Sequence, residues 1–167
     1  MGIEIERKFL VSSDGWRSVA HQSVRMTQGY LNDVQAVAQG REHCSVRIRI
    51  AGEQAFLNIK SRAIGPSRQE FEYPLPLDDA RALMNLCAAG RIDKIRHLVR
   101  RGSHLWEVDE FLGDNFGLIL AEIELSAIDE PFVTPDWAGK EVTELPRYYN
   151  LALAEHPFKH WTDLEKS

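Results

Sequence analysis

Cysteine is nearly missing from this chain: Cys44 and Cys87 are the two present in 167 residues. Two thiols cannot build a disulfide framework, and neither has a metal-ligand partner at short spacing, so they read as free thiols of a reducing compartment. Long apolar runs are missing too, and nothing approaches the roughly 20 residues that span a bilayer. The opening Met1-Gly2-Ile3-Glu4-Ile5-Glu6-Arg7-Lys8 puts four charged residues, two of them acidic, among its first eight, unlike a signal peptide. Gly2 begins a myristoylation pattern, but Glu6 stands where that pattern needs Ser or Thr. No G-x-x-x-x-G-K phosphate loop and no G-x-S-x-G elbow occur, which removes two common phosphate and acyl chemistries. His156 and His160 lie four apart, but Pro157 between them breaks the helix a zinc pair would need. Excess positive charge is also lacking. Lys and Arg number 20 against 25 Asp and Glu, a net −5, which argues against a nucleic-acid or membrane-surface binder. Repeats, linkers and low-complexity tracts are not found.

What remains is ordinary globular material, 44% hydrophobic and 27% charged, of a length that makes one domain over residues 1–167 with a real core. The expectation is a soluble, cytoplasmic protein. Most segments alternate with a period of two, the signature of half-buried strands. Strands are expected over Ile3–Val11, Val24–Leu31, Cys44–Ile50, Phe56–Arg62, Arg68–Tyr73, Arg91–Val99, His104–Phe111 and Leu118–Leu125. A helix capped by Asp78 and Asp79 should run through Leu83, Met84 and Leu86 to near Gly90. Another should run from Arg147 to about His156 with Tyr148, Leu151 and Ala152 as its apolar stripe, and a short one is expected near Ser13–His21. Trp16, Trp106, Trp137 and Trp161 read as packing residues. The pattern is α+β: a meander, or a barrel carrying helices outside.

The polar face of each strand carries the chemistry. Its bases are Lys8, Arg47, Arg49, Lys60, Arg62, Arg68, Lys94 and Arg96; its acids are Glu4, Glu6, Glu70, Glu72, Glu107, Asp109, Glu122 and Glu124. A wet sheet face is the ordinary explanation for such charges. The order of signs speaks against it. Same-face neighbours lie roughly 7 Å apart, yet they come as like pairs: Arg47 with Arg49, Lys60 with Arg62, Lys94 with Arg96, Glu4 with Glu6, Glu107 with Asp109, Glu122 with Glu124. At that separation and an effective dielectric of about 20, each like pair costs on the order of 2 kcal/mol, and solvent and salt reduce this on an open surface. A face selected for stability alone would interleave signs. Segregated clusters make sense when the cationic one awaits a polyanion and the carboxylate one a hard divalent ion. Arg forks grip phosphate and carboxylate pairs suit Mg²⁺ or Mn²⁺. Closing the strands into a barrel with a polar lumen would gather both sets around a metal–polyphosphate complex. Glu70 and Glu72 have an equally good reading as partners of neighbouring bases, and Glu107 as a structural acid.

These residues resemble the CYTH superfamily of triphosphate tunnel metalloenzymes. Glu4-Ile5-Glu6-Arg7-Lys8 fits its N-terminal ExExK signature. Arg47-x-Arg49, Lys60-x-Arg62, Lys94-x-Arg96, Asp109, Glu122-x-Glu124 and Arg147-Tyr148 follow in order, and Glu141-Val142-Thr143 with Arg147-Tyr148-Tyr149-Asn150 resembles small bacterial members. The resemblance covers Ile3 to about Ala154. It implies an eight-stranded antiparallel β-barrel forming a charged tunnel with helices outside, and metal-dependent hydrolysis of a triphosphate. Inorganic tripolyphosphate is the favoured substrate; class IV-type adenylate cyclisation, or thiamine or nucleoside triphosphate hydrolysis, is the alternative. By the same carry-over, Glu4, Glu6, Asp109, Glu122 and Glu124 would hold Mg²⁺ or Mn²⁺. Lys8, Arg47, Arg49, Lys60, Arg62, Arg68, Lys94, Arg96 and Arg147 would line the phosphate track, and Lys8 with Tyr30 would assist proton transfer or the leaving group. The expected partner is a small-molecule triphosphate (tripolyphosphate, ATP or thiamine triphosphate), with no nucleic acid and no membrane, for a monomer or homodimer.

Overall fold

The alternation along the chain becomes a ring of strands in the computed structural model, which describes residues 2–87 and 90–166. The strands are β1 (Gly2–Val11), β2 (Gln22–Tyr30), β3 (Cys44–Ala51), β4 (Gln54–Ser61), β5 (Ser67–Leu75), β6 (Ile92–Arg101), β7 (His104–Phe111), β8 (Ile119–Glu124) and a short β9 (Ala138–Glu141). Their order is β5-β4-β3-β2-β6-β7-β8-β1, and a further β5–β1 pairing joins the ends, so β1 to β8 close into an antiparallel barrel. β9 continues the wall beside β1 past the point where β5 leaves it. Closure removes the open sheet edges that eight charged strands would otherwise present. The expected barrel class and its helices outside are what the chain adopts.

Two hairpins are set by glycine. Ala51 pairs Gln54 across Gly52-Glu53, and Arg101 pairs His104 across Gly102-Ser103; Gly52 and Gly102 take φ of +58° and +61°. A two-residue loop whose first position has positive φ matches the twist of the strands it joins, and only glycine takes that φ without strain. The register that follows turns the charged face of every strand inward.

Apolar residues fill three places. On the outer face of β1, β6, β7 and β8, Phe9, Val99, Trp106, Val108, Ala121 and Ile123 are covered by Trp16 and Trp137 from flanking loops. On β3 and β4, Ile48 and Ala55 are covered by α2 (Leu77–Met84) through Ala80 and Met84. Gly29 of β2 lets the end of that region approach: a Cβ there would stand 2.7 Å from both Cys87 Sγ and Met84 Sδ. The third cluster stops one end of the barrel. Ile92, Phe111, Leu118 and Leu120, on the lumen side, meet Val142, Tyr148, Leu153, Ala154 and Trp161 of the C-terminal segment. All four tryptophans are buried.

Several expected helices come out shorter. Asp78 and Asp79 lie in the first turn of α2 rather than capping it, because the chain enters through Pro76, and α2 stops at Met84; residues 88 and 89, through which it was expected to continue, lie outside the described residues. Ser13–His21 makes only a 3₁₀ turn, Asp14–Trp16, which places Trp16 against the barrel. The C-terminal helix breaks into a 3₁₀ turn (Pro146–Tyr148) and α3 (Asn150–Glu155), with extended Tyr149 between. Its buried side chains are Tyr148, Leu153 and Ala154; Leu151 and Ala152 are half-buried. An unexpected α1 (Val34–Ala38) begins at Asp33, whose carboxylate accepts from Gln35 and Ala36 N–H. Among the described residues no helix is long and apolar enough to cross a membrane.

Candidate active site

The lumen is a cavity of about 660 Å³, and its lining is the charged face read from the sequence. Glu4, Glu6 and Lys8 come from β1; Gln28 and Tyr30 from β2; Arg47 and Arg49 from β3; Lys60 from β4, followed by Arg62; Arg68, Glu70 and Glu72 from β5; Lys94 and Arg96 from β6; Glu107 from β7; Glu122 and Glu124 from β8. Toward the stoppered end, Val37, Ala38, Ala63, Ile64, Tyr149 and Leu151 line a less polar stretch.

Acids and bases hold each other across this space. Lys60 Nζ lies 2.9 Å from Glu4 and 3.3 Å from Glu70; Arg68 binds Glu4 through Nε at 2.7 Å and also pairs with Glu6. Glu122 pairs with Lys8 and accepts from Arg96 at 2.8 Å. Arg49 lies 2.5 Å from Glu72, whose position is shared with the buried amide of Asn58 at 2.7 Å. Glu70 and Glu72 thus partner bases, as one of their two readings had it, and Glu107 pairs with Arg96.

Two predicted site residues stand elsewhere. Asp109 is 1% exposed and not on the lining: it is sealed between Lys94 Nζ at 2.5 Å and the Arg96 guanidinium at 2.7 Å. The reason is register, since Asp109 faces Arg96 and Leu120 near the apolar end, below Glu107 and Glu122. Arg147 also misses the lining. The turn that carries it sinks Tyr148 into the end cluster, and its guanidinium lies over Tyr148 and Trp161, 5.1 and 5.7 Å from the ring centroids.

The electrostatics separate into two poles. At the basic pole, Arg47 is 6% exposed and makes no ion pair among the described residues; its Nη1 donates to Gln28 Oε1 at 3.2 Å and its Nε has no partner. Burial and the Arg47 charge push the Arg49 and Lys60 pKa values down. Cations crowded enough to lower one another's pKa despite their ion pairs suit a polyanion. Tyr30 sits against Arg47, whose guanidinium donates to the phenolic oxygen, and burial raises the Tyr30 pKa, so its phenol stays protonated. At the acidic pole, Glu6 is directly opposite Glu124 and Glu107 opposite Glu122, an arrangement that destabilises a sheet unless something positive lies between. Glu124 makes no ion pair among the described residues, and burial followed by Glu4, Glu70 and Glu6 pushes its pKa up. Burial lowers the Lys8 pKa, but Glu122 and Glu6 more than reverse this, so Lys8 stays charged.

This donor set fits a hard divalent cation: opposed carboxylates of which one lacks a counter-charge. As the side chains stand, the carboxylates are drawn to their bases, and among the described residues no three acids, histidines or cysteines are gathered closely enough to hold an ion. Sequence reasoning missed Gln28, Asn58, Thr143 and Tyr149. Asn58 carried a signal, since it alternates with Leu57 and Ile59 on the face of Lys60; Thr143 and Tyr149 lay in the stretches that resemble small bacterial members without a role being assigned, and Gln28 is in phase with Tyr30 on β2.

A family model for the CYTH domain matches residues 2–154. The chain is 40% identical over 164 residues to the inorganic triphosphatase of Acetivibrio thermocellus, covering 98% of this chain and all of that one. It is 35% identical over 156 residues to the inorganic triphosphatase of Nitrosomonas europaea, covering 90% and 96%. Among solved structures it is similar to the crystal structure of the inorganic triphosphatase NE1496, with a TM-score of 0.63 at 34% identity, over 90% of this chain and 97% of that one.

Proposed function

The chain belongs to the CYTH domain family, and from that premise we propose that it hydrolyses inorganic tripolyphosphate to pyrophosphate and phosphate inside its barrel. The observation that carries the reading is the buried Arg47, without an ion pair and with a free Nε, amid cations whose pKa values are pushed down. Relatives covering nearly the whole chain are inorganic triphosphatases. A linear, highly charged anion satisfies the basic pole along its length.

Glu4, Glu6, Glu122 and Glu124 would hold Mg²⁺ or Mn²⁺, which when bound supplies charge neutralisation and Lewis acidity toward phosphate oxygens. Arg47, Arg49, Lys60, Arg62 and Arg68 take the phosphate oxygens, the Arg forks two at a time. Water adds at a terminal phosphorus while the P–O bond to the departing pyrophosphate breaks. The proton of the attacking water passes to a phosphate oxygen, the protonated Tyr30 phenol beside Arg47 offers the phosphates a hydrogen bond, and Lys8, Lys94 and Arg96 offset charge growing on the leaving group. Because acids and bases grip each other in the resting site, substrate entry is a partner exchange: the phosphates take the bases, and the carboxylates are freed. The two half-buried free thiols agree with a cytoplasmic enzyme.

The test is release of phosphate and pyrophosphate from tripolyphosphate, ATP and thiamine triphosphate, with Mg²⁺ or Mn²⁺ and an EDTA blank, and cyclic AMP assayed in the ATP tubes. Fast metal-dependent cleavage of tripolyphosphate with poor use of ATP is expected. Cyclic AMP would move the chain to the cyclase reading, and a folded protein that binds tripolyphosphate but turns over nothing would make the tunnel a receptor.

A further inference from the structure

Lys8 sits where the barrel wall changes hands. β5 flanks β1 only over Gly2 to Ile5, and the edge beyond is covered by β9 and the residues after it, with a register shift between Phe9 and Val11. Lys8 C=O accepts from Val142 N–H at 2.8 Å. Its own N–H finds no strand carbonyl and donates instead to the hydroxyl of the buried Thr143 at 3.0 Å. That hydroxyl in turn donates to Glu141 Oε1 at 2.6 Å, and Glu141 is clamped by Arg7 Nε at 2.8 Å. The Arg7 contact keeps Glu141 ionised and acceptor-only. The single Thr143 proton therefore has one direction to point, leaving a lone pair for Lys8 N–H.

The same segment reaches the other end of Lys8. Tyr149 donates its hydroxyl to Thr143 C=O at 2.6 Å and accepts from Gly65 N–H at 3.1 Å, which ties the C-terminal segment to the β4–β5 turn. This tether accounts for the extended Tyr149 that splits the C-terminal helix. The Tyr149 ring then lies beneath the Lys8 ammonium, 5.8 Å from Nζ to the centroid, within cation–π range. Tyr30 is held against Arg47, with the Lys8 charge also acting on its phenol.

We propose that Thr143 and Tyr149 are positioning residues for Lys8. Thr143 anchors its backbone, and Tyr149 is an aromatic surface that keeps its ammonium aimed into the lumen when Glu122 gives it up. The proposal rests on the triphosphatase reading for its catalytic consequence but not for its geometry. In the resting site Glu122 alone would hold Lys8. During the partner exchange that carboxylate is engaged elsewhere, and a long side chain freed of its counter-ion would swing unless something fixed remained beside it.

Six single variants, one double variant and one spectrum decide it. Tyr149→Leu and Thr143→Val should each lower kcat on tripolyphosphate about ten-fold or more with KM changed by less than about three-fold, since a misplaced group loses transition-state rather than ground-state contacts. Thr143→Ser should restore the rate. Tyr149→Phe, which keeps the ring but loses both hydrogen bonds, should fall between. In a Lys8→Met background, Tyr149→Leu should cost nothing further, because the two changes remove one interaction. Independent of turnover, the ε-methylene proton signal of Lys8, assigned by its loss in Lys8→Met, should lose its ring-current shift in Tyr149→Leu and keep it in Tyr149→Phe and Tyr30→Phe. Multiplicative effects of Tyr149→Leu and Lys8→Met, or a Lys8 signal that moves in Tyr30→Phe and not in Tyr149→Leu, would overturn the proposal. A wild-type protein without tripolyphosphatase activity would sink the proposed function, and the Lys8 signal would still decide the positioning.

Discussion

Replacing Asp109 by Asn separates a structural acid from a ligand-binding one. Asp109 is 1% exposed and accepts from Lys94 Nζ at 2.5 Å and from Arg96 Nε and Nη2 at 2.7 Å. Asparagine keeps the shape but offers one acceptor oxygen and turns an N–H₂ toward a cation. Breaking a buried ion pair from one side costs about 3–5 kcal/mol. Two features put the expected loss at the lower end. Burial already brings the Lys94 pKa down to about 8, so without Asp109 it sheds its proton near neutral pH rather than stay charged and alone. Arg96 cannot do the same, but it retains Glu107 and Glu122. A loss of about 3 kcal/mol in a chain of this length lowers Tm by roughly 6–12 °C. The assay is calorimetric unfolding at pH 7 in EDTA, for Asp109→Asn and for the double variant Asp109→Asn/Lys94→Met. The double variant should regain most of the loss, because an apolar side chain of similar volume replaces the stranded lysine. A drop under about 2 °C, or a double variant no more stable than the single one, would refute the buried triad and return Asp109 to the candidate metal ligands.

Lys94 also predicts a pH dependence. The unfolded chain holds that proton up to the ordinary 10.5, the folded one only to about 8, so between these values the unfolded state binds more protons and stability rises with pH; Lys94→Met should flatten that rise in urea titrations across the window. Arg47→Met should weaken tripolyphosphate binding about 100-fold by calorimetry while leaving Tm the same or raising it by about 2–4 °C, since a buried charge without a counter-ion is removed; a clear fall in Tm would show that Arg47 holds the fold instead. Gly29→Ala should cost about 1–3 kcal/mol in chemical denaturation, because its Cβ would stand 2.7 Å from Cys87 Sγ and Met84 Sδ. Gly29→Ala/Met84→Ala should recover part of that cost, and no recovery would mean the clash lies elsewhere.

Reading the strands required only the alternation of apolar and charged residues, because a strand buried on one face has no other way to dispose of both. Lys8, Arg47 and Glu122 face the lumen for that reason. β9 was not legible: Ala138-Gly139-Lys140-Glu141 has no strand pattern, and it pairs because β1 outruns β5 and its edge must be covered. α1 is five residues long, too short for a period to register, and it forms where Asp33 caps it and Val34, Ala36 and Val37 are buried. The C-terminal helix was legible in its span and in Tyr148, but not in Leu153 and Ala154 as its buried residues or in its break, which comes from a hydroxyl reaching Thr143 and Gly65.

Local chemistry along the sequence therefore determined the strands, which side chains share a face, the two glycine hairpins and the segregation of like charges, since each depends on neighbours within a few residues; the alternation left meander and barrel open, and the β1–β5 pairing closes the barrel. Pairing between distant strands decided the rest. Glu122 meets Lys8 and Glu124 lies opposite Glu6 through the β1–β8 register. The positions of Asp109 below the lining and of Arg147 on the end cluster likewise depend on which strand lies beside which and on where the C-terminal segment comes to rest. Alternation specifies a face but not a depth along the barrel axis, and depth is what separates an ion-pair partner from a substrate contact.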